Sequence, residues 1–371
     1  MPFGLESTSH LNGHAGSSLG DPFHDPGDLS SGLWGSSAHF YGHGGSSLGP
    51  EFLMNDSGDL SRAHAAATHA ATASHAATGA NSLSPTLVGA AGGLQFDLIW
   101  DSSVAKAPTA FESAIIAAAQ HYTTLFSNDE VVNIHVGYGE VGGSSMGSGA
   151  LGESESYGYL TNYATVDAAM QHDGSWSAYQ KSADATLTAS DPTHGGEFFV
   201  TSAEAKTLGL ISGASTAIDG YIGLGSAYSM DYATNVAGNK IGSNQFDAIA
   251  IAEHEISEVM GRIGSEGALV GKNIYTPLDL FRYAGNGVRN LTPTAGYFSV
   301  NGGATNLDGY NNPANGGDSA DWAAIGATIG NSYDAYDAFT DPGLAGIVSP
   351  SDVIEDAALG YKLTSAGVAA A

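Results

Sequence analysis

The stretch from Leu94 to Tyr138 restricts the fold most. Leu94-Gln-Phe-Asp-Leu-Ile-Trp100 alternates as a strand does, and Val131-Val-Asn-Ile-His-Val-Gly-Tyr138 alternates again. Between them, over Ala107 to Phe126, apolar residues fall at helical spacing (Phe111, Ile115, Ala118, Ala119, Tyr122, Phe126), with Pro108 in the first turn. Strand, long helix, strand opens a domain that mixes helix with sheet. Further along, Phe198 to Thr201 and Ile218 to Leu224 read as short strands and Val166 to His172 as a helix. A second strong helix runs from Phe246 to about Met260; loops follow, then a closing helix near Ser351 to Leu359.

The first ninety or so residues look unlike the rest. Ser9-His10-Leu-Asn-Gly13-His14-Ala-Gly-Ser-Ser-Leu19-Gly20 returns 29 residues later as Ala38-His39-Phe-Tyr-Gly42-His43-Gly-Gly-Ser-Ser-Leu48-Gly49, and each copy runs on to Gly-Asp-Leu-Ser. Two copies are too few for a solenoid, which needs about three. An Ala/His/Thr tract from Ala63 to Gly79 follows, and eight of the 13 histidines lie before residue 76. Such a tract can collect metal, or simply form a polar leader. The expected layout is therefore a low-complexity His/Gly/Ser-rich segment over 1–92, a folded domain over 93–364 and a small apolar tail over 365–371. The repeat segment offers a route to self-association.

Charge narrows the function classes. There are 38 acidic and 10 basic side chains, a formal charge of −28, yet charged residues make up only 13%. The imbalance is a shortage of Lys and Arg, not a surplus of acid. A chain this acidic has no electrostatic footprint for nucleic acid or for anionic lipid. No apolar run approaches the roughly 18 residues of a membrane span. Met1 to His10 lacks the basic and apolar regions of an ordinary signal peptide. Zero cysteine excludes disulfides, Cys-ligated zinc and thiol catalysis. High acidity, abundant Gly, Asn and Asp, and missing Cys together suggest a bacterial extracellular protein that needs divalent cations. Export would use another route, for which the tail Ser365 to Ala371 is the candidate signal.

Chemistry concentrates on one helix, Phe246-Asp-Ala-Ile-Ala-Ile-Ala-Glu253-His254-Glu255-Ile-Ser-Glu258-Val-Met-Gly261-Arg262. His254 and Glu258 are four apart and project from one face. Glu255, beside His254, can reach a water held between them. This is the frame of H-E-x-x-H, in which two histidines hold Zn²⁺ and the Glu is general base, with the second histidine replaced by glutamate. A carboxylate is an acceptable zinc ligand. Gly261 stands where the longer H-E-x-x-H-x-x-G-x-x-H motif has its glycine, but Gly264 replaces the third histidine. His254 is the only histidine after His194, so a third ligand must be a downstream carboxylate or tyrosine, or an upstream histidine such as His194. A bland alternative stands beside this one: Glu258 can pair with Arg262, four residues on, and His254 can be a hydrogen-bonded core residue.

Five segments carry a family resemblance: His254-Glu-Ile-Ser-Glu-Val-Met-Gly-Arg262, Thr276-Pro-Leu-Asp-Leu-Phe-Arg-Tyr283, Tyr297-Phe-Ser-Val-Asn-Gly-Gly303, Gly317-Asp-Ser-Ala-Asp-Trp322 and Ala358-Leu-Gly-Tyr361. Over roughly Leu94 to Lys362 the chain resembles a group of bacterial secreted metzincin-like metalloproteases. The resemblance implies an α+β, zincin-like catalytic domain with a mixed sheet, two main helices and a loop-rich C-terminal part. It implies a zinc-dependent endopeptidase acting on protein or peptide substrates, with His254 and Glu258 as ligands and Glu255 as base. It also sets Leu278 to Tyr283, with Asp279 and Arg282, in the turn that floors the metal site, without that turn's methionine. The rival reading is a non-catalytic extracellular structural or assembly protein that keeps the fold.

The Asn/Gly/Asp loops after residue 300 form a second candidate. Asp308, Asp318 and Asp321 offer hard oxygen donors on Gly-rich backbone, as Ca²⁺ sites need, although no EF-hand loop is present. Turn-forming Asx residues without metal explain the same pattern.

Overall fold

The computed structural model describes residues 48, 51–55, 60–62, 83–147, 149–171, 177–233, 240–267, 273–323 and 332–371. All belong to one compact unit, Ser46–Ala371. Most of the repeat and the whole Ala/His/Thr tract lie outside the described residues.

The first half of this unit contains β1 (Glu51–Asn55), β2 (Leu60–Arg62), β3 (Thr86–Val88), β4 (Leu94–Trp100), α1 (Phe111–Leu125) and β5 (Glu130–Tyr138). A small hairpin, β6 (Glu140–Val141) and β7 (Ser144–Ser145), precedes β8 (Gly152–Asn162), α2 (Tyr163–Met170), α3 (Ala178–Asp184), β9 (Glu197–Thr201), α4 (Ser202–Thr207) and β10 (Gly220–Leu224). Then come β11 (Met230–Asp231), β12 (Phe246–Asp247), α5 (Ala248–Met260), β13 (Ile274–Tyr275), β14 (Arg282–Gly285), β15 (Val288–Arg289), β16 (Tyr297–Phe298) and β17 (Asp308–Gly309). The chain closes with β18 (Ser332–Asp334), β19 (Ala345–Ile347), α6 (Pro350–Ala358) and α7 (Ser365–Ala370).

The mixed sheet expected from the sequence is present and has nine strands. β4 runs parallel to β5, and β5 parallel to β10, while β8 is antiparallel to β10, β9 and β1. Alternation in β4 works as read: Leu94, Phe96, Leu98 and Trp100 are buried, and the residues between them are half-buried. Those side chains meet Phe111, Ile115, Ala118 and Tyr122 of α1 and Ala252, Ile256 and Val259 of α5 in one core. At about 1.5–3 kcal/mol for each fully buried large apolar side chain, this layer is the main stabiliser of the unit. α1 and α5, 15 and 13 residues long, are the two longest helices described. A second core joins α2 and β9 to Phe281, Phe298, Trp322, Tyr336 and α6. No helix among the described residues is long and apolar enough to cross a membrane.

Two boundaries differ from expectation. β1 and β3 lie within residues 1–92, yet both add to the sheet. Their pairing partners β8 and β4 supply the backbone hydrogen bonds, a long-range term that local composition does not reveal. The tail over 365–371 is helical and docked: Thr364 caps α7, and Tyr179 donates its hydroxyl to the Ala371 carbonyl at 3.1 Å.

Candidate metal centre

α5 is fixed at both ends. Asp247 caps it, accepting from the N–H groups of Ile249 (3.1 Å) and Ala250 (3.4 Å), while its other oxygen accepts from Gly346 in β19 (3.1 Å). Gly261 ends it at φ 125°, a conformation strained for any residue with a Cβ. Along its length, Tyr122 donates to the Glu253 carbonyl and Tyr361 to the Met260 carbonyl, both at 2.8 Å. The helix therefore presents its polar face without freedom to slide.

On that face His254 lies with its ring set by the backbone. A carbonyl can only accept, so the 2.9 Å contact to Ala335 O makes Nδ1 the donor. Nε2 then points at two carboxylates, Glu258 Oε1 at 3.5 Å and Asp321 Oδ1 at 3.3 Å. The side chains of Glu258 and Asp321 are 3% and 4% exposed, that of His254 15%. One ligand atom from each of the three lies within 4.8 Å of the others. Donors about 2.0–2.2 Å from a tetrahedral ion stand about 3.3–3.6 Å apart, so both distances from Nε2 match that spacing. The Nδ1–H to carbonyl bond is also the partner that orients ligating histidines. The triad can therefore hold a metal ion.

Arg262 complicates the charge balance. It is fully buried, with Nη1 2.7 Å from Asp321 Oδ1 and Nη2 3.5 Å from Glu258 Oε1. Its Nε donates to Ser257 Oγ at 2.7 Å, and its guanidinium stacks over Tyr336 at 4.4 Å. The bland pairing of Glu258 with Arg262 is thus real, and it coexists with the triad. Ser154, from β8, donates to the other Glu258 oxygen at 2.7 Å. Burial and the Arg262 cation oppose protonation of His254, but Asp321 and Glu258 outweigh them, and its pKa is raised well above the ordinary histidine value. Burial works against ionised Asp321 as well, and His254 and Arg262 more than compensate, holding it below the usual carboxylate range. A metal ion, which needs neutral imidazole, has to displace a proton here.

The triad opens into a cavity of about 600 Å³. One wall is Gly149 to Glu153, leading into β8; the other is Gly316 to Asp318 with Ala338 to Thr340. Glu255 also lines it, and its Oε1 lies so close to Gly152 that a Cβ there would come within 2.2 Å. Glycine at the start of β8 is thus what gives the Glu255 carboxylate its place.

The remaining sequence candidates fall as follows. Asp321, grouped by sequence with the calcium candidates Asp308 and Asp318, sits instead with His254 and Glu258. Asp318 lines the cavity without joining the triad. Asp308 lies in β17, where its carboxylate accepts from the N–H of Gly309 at 2.7 Å, and burial raises its pKa. His194 is exposed on a loop at φ 58° and is not in the triad. Asp279 accepts from the N–H groups of Thr276 (2.8 Å) and Glu266 (3.0 Å), and Arg282 pairs with Glu266 at 3.3 Å. Arg282 Nη1 also donates to the Ser319 carbonyl at 2.8 Å, so the Thr276–Tyr283 segment braces the loop that delivers Asp321. Sequence reasoning gave no role to Ser154, Ala335 or Tyr336. They arrive from remote elements, and no local spacing announces them.

The chain matches no family model, no curated protein and no solved structure.

Proposed function

We propose that the protein is a zinc-dependent peptidase whose ion is held by His254 Nε2, Glu258 and Asp321. The convergence of these three donors on the wall of a cavity that Glu255 also lines carries this reading. A nitrogen donor among carboxylates favours zinc or another transition ion over calcium. The ion would supply a Lewis acid that polarises the scissile carbonyl and acidifies water. Glu255 takes the proton of the attacking water and delivers it to the departing amine. Ser154 and Arg262 keep the two ligand carboxylates oriented, and Ala335 fixes the histidine tautomer.

Metal content by mass spectrometry, on protein purified without chelator, tests the site. About one zinc per chain is expected, lost in His254→Ala. Hydrolysis of a denatured protein substrate tests the chemistry: Glu255→Gln should abolish it, and unchanged turnover would refute the mechanism.

One observation favours a second reading. Arg262 and a protonated His254 together already balance both carboxylates, so the cluster is a complete ion-pair network without a metal. In that case the protein keeps the site as a structural knot and has no peptidase activity. A metal-free preparation as stable as a zinc-loaded one would support this alternative.

A further inference from the structure

We propose that the cavity beside the triad selects peptides carrying a Lys or Arg side chain. This inference rests on the peptidase reading and adds the substrate class. Three carboxylates outside the triad and apart from Glu255 line the cavity: Glu153, Asp318 and Asp337. No Lys or Arg does. Arg262 is fully buried and engaged with Glu258 and Asp321, and His254 pairs with the same two carboxylates, so neither is paired with Glu153, Asp318 or Asp337 in the ion pairs of the described residues.

The acidic groups are held in place. Glu153 accepts from the Gly147 N–H at 2.5 Å, and Asp337 accepts from the Asp334 N–H at 3.2 Å. Burial and the neighbouring Asp334 push Asp337 up to about 7, and a bound cation would draw it back down.

The rest of the lining suits the alkyl stem of such a side chain. Leu151, Ile251, Tyr228, Phe246 and Phe339 supply apolar and aromatic surface. Long cationic side chains lay their methylenes on surface of this kind and hold their heads against carboxylates or ring faces. An acidic peptide would bring like charge into a partly desolvated cleft, which opposes binding. The volume, about 600 Å³, lies within the range of roughly 300–1,000 Å³ usual for ligand sites.

The test measures binding without turnover. Full-length Glu255→Gln protein is titrated, by fluorescence anisotropy, into three labelled peptides identical except for a central Arg, Gln or Glu. The Arg peptide should bind at least about tenfold more tightly than the Glu peptide. Asp318→Asn combined with Asp337→Asn should weaken Arg-peptide binding about tenfold, while Asp129→Asn, at an exposed site outside the cavity, should not. If the double variant fails its thermal melt, Glu153→Gln serves in its place. Equal affinity for the three peptides, no binding of any, or an equal loss in Asp129→Asn would overturn the proposal. Charge preference with no hydrolysis by the unsubstituted protein would sink the peptidase reading alone. Hydrolysis without preference would sink this inference alone.

Discussion

Replacing Arg262 with methionine separates the two charge-balancing roles at the centre. Methionine keeps most of the side-chain volume and removes the guanidinium from its contacts with Asp321 (2.7 Å) and Glu258 (3.5 Å). The two nearly buried carboxylates then keep only His254 as a cationic partner among the described residues. Breaking a buried ion pair by removing one partner typically costs about 3–5 kcal/mol, because a desolvated charge is left uncompensated. Loss of the Tyr336 stacking adds about 1 kcal/mol. Against a total stability of about 5–15 kcal/mol, the metal-free variant should be folded but fragile. A divalent ion can then take over the lost charge. Zinc at a hundred times its dissociation constant adds about 2.7 kcal/mol, and the gain should be larger in the variant than in the unsubstituted protein. Urea unfolding followed by circular dichroism, with EDTA and with zinc, reads both terms. Should the methionine variant not fold, Arg262→Lys keeps the charge and loses the fork. A cost below about 1 kcal/mol, or zinc stabilising both proteins equally, would refute the reasoning.

Asp321→Ala should lose zinc as fully as His254→Ala does; zinc retained by metal analysis would mean that Asp321 is not the third ligand. Gly152→Ala places a Cβ about where Glu255 Oε1 now lies (2.2 Å), so turnover should fall at least about tenfold with metal content unchanged. Normal turnover would show that this packing does not position the base. Stability should fall as pH rises from about 5 to 8. Burial raises Glu130 from 4.5 to about 8 and Asp356 from 3.8 to about 7. The folded state therefore keeps protons that the unfolded chain has released, and the associated stability is present below about pH 4 and lost through about 8. Glu130→Gln should flatten the upper part of that profile in thermal melts, and an unchanged slope would remove Glu130 as a cause.

The parts of this structure legible in the sequence are those encoded locally. The alternation of Leu94 to Trp100 and the helical stripe of Phe111 to Tyr122 each record a burial pattern within one element, and both elements form as read. The frame His254, Glu255, Glu258 and Gly261 is likewise local, since i, i+4 spacing on a helix guarantees a shared face. Asp321 is different. It stands 59 residues after Arg262, in an Asx- and Gly-rich loop whose composition suits a turn, a calcium site or a ligand equally. What brings it to His254 is tertiary: Asn311 N–H to Asp321 O at 2.7 Å, Trp322 N–H to Tyr336 O at 2.8 Å, and Arg282 on the Ser319 carbonyl. The strands β1 and β3 were hidden because pairing, with β8 and β4, and not local composition, adds them to the sheet.

The shortage of cations acquires meaning only in three dimensions. With ten Lys and Arg in the chain, Lys206, Arg262 and Arg282 are spent in the interior, at 4%, 0% and 2% exposure. Each meets carboxylates there: Asp219 at 2.5 Å, Asp321 at 2.7 Å and Glu266 at 3.3 Å. Burying a cation is costly unless it is paired, so each site fixes a specific convergence of elements. Lys206 joins α4 to the strand β5 through the Val131 carbonyl, and Arg282 ties β14 to the loop before Asp321. Arg262 alone shares its carboxylates with a histidine that faces a cavity. The residues that would hold a metal are therefore also the residues whose pairing holds α5 to the Asp321 loop. A variant there that loses activity says little by itself about chemistry, because it also loosens the fold. Metal content, stability with and without zinc, and turnover have to be read on the same variant, and a ligand is assigned where metal and the zinc-dependent stabilisation are lost together in a variant that still folds.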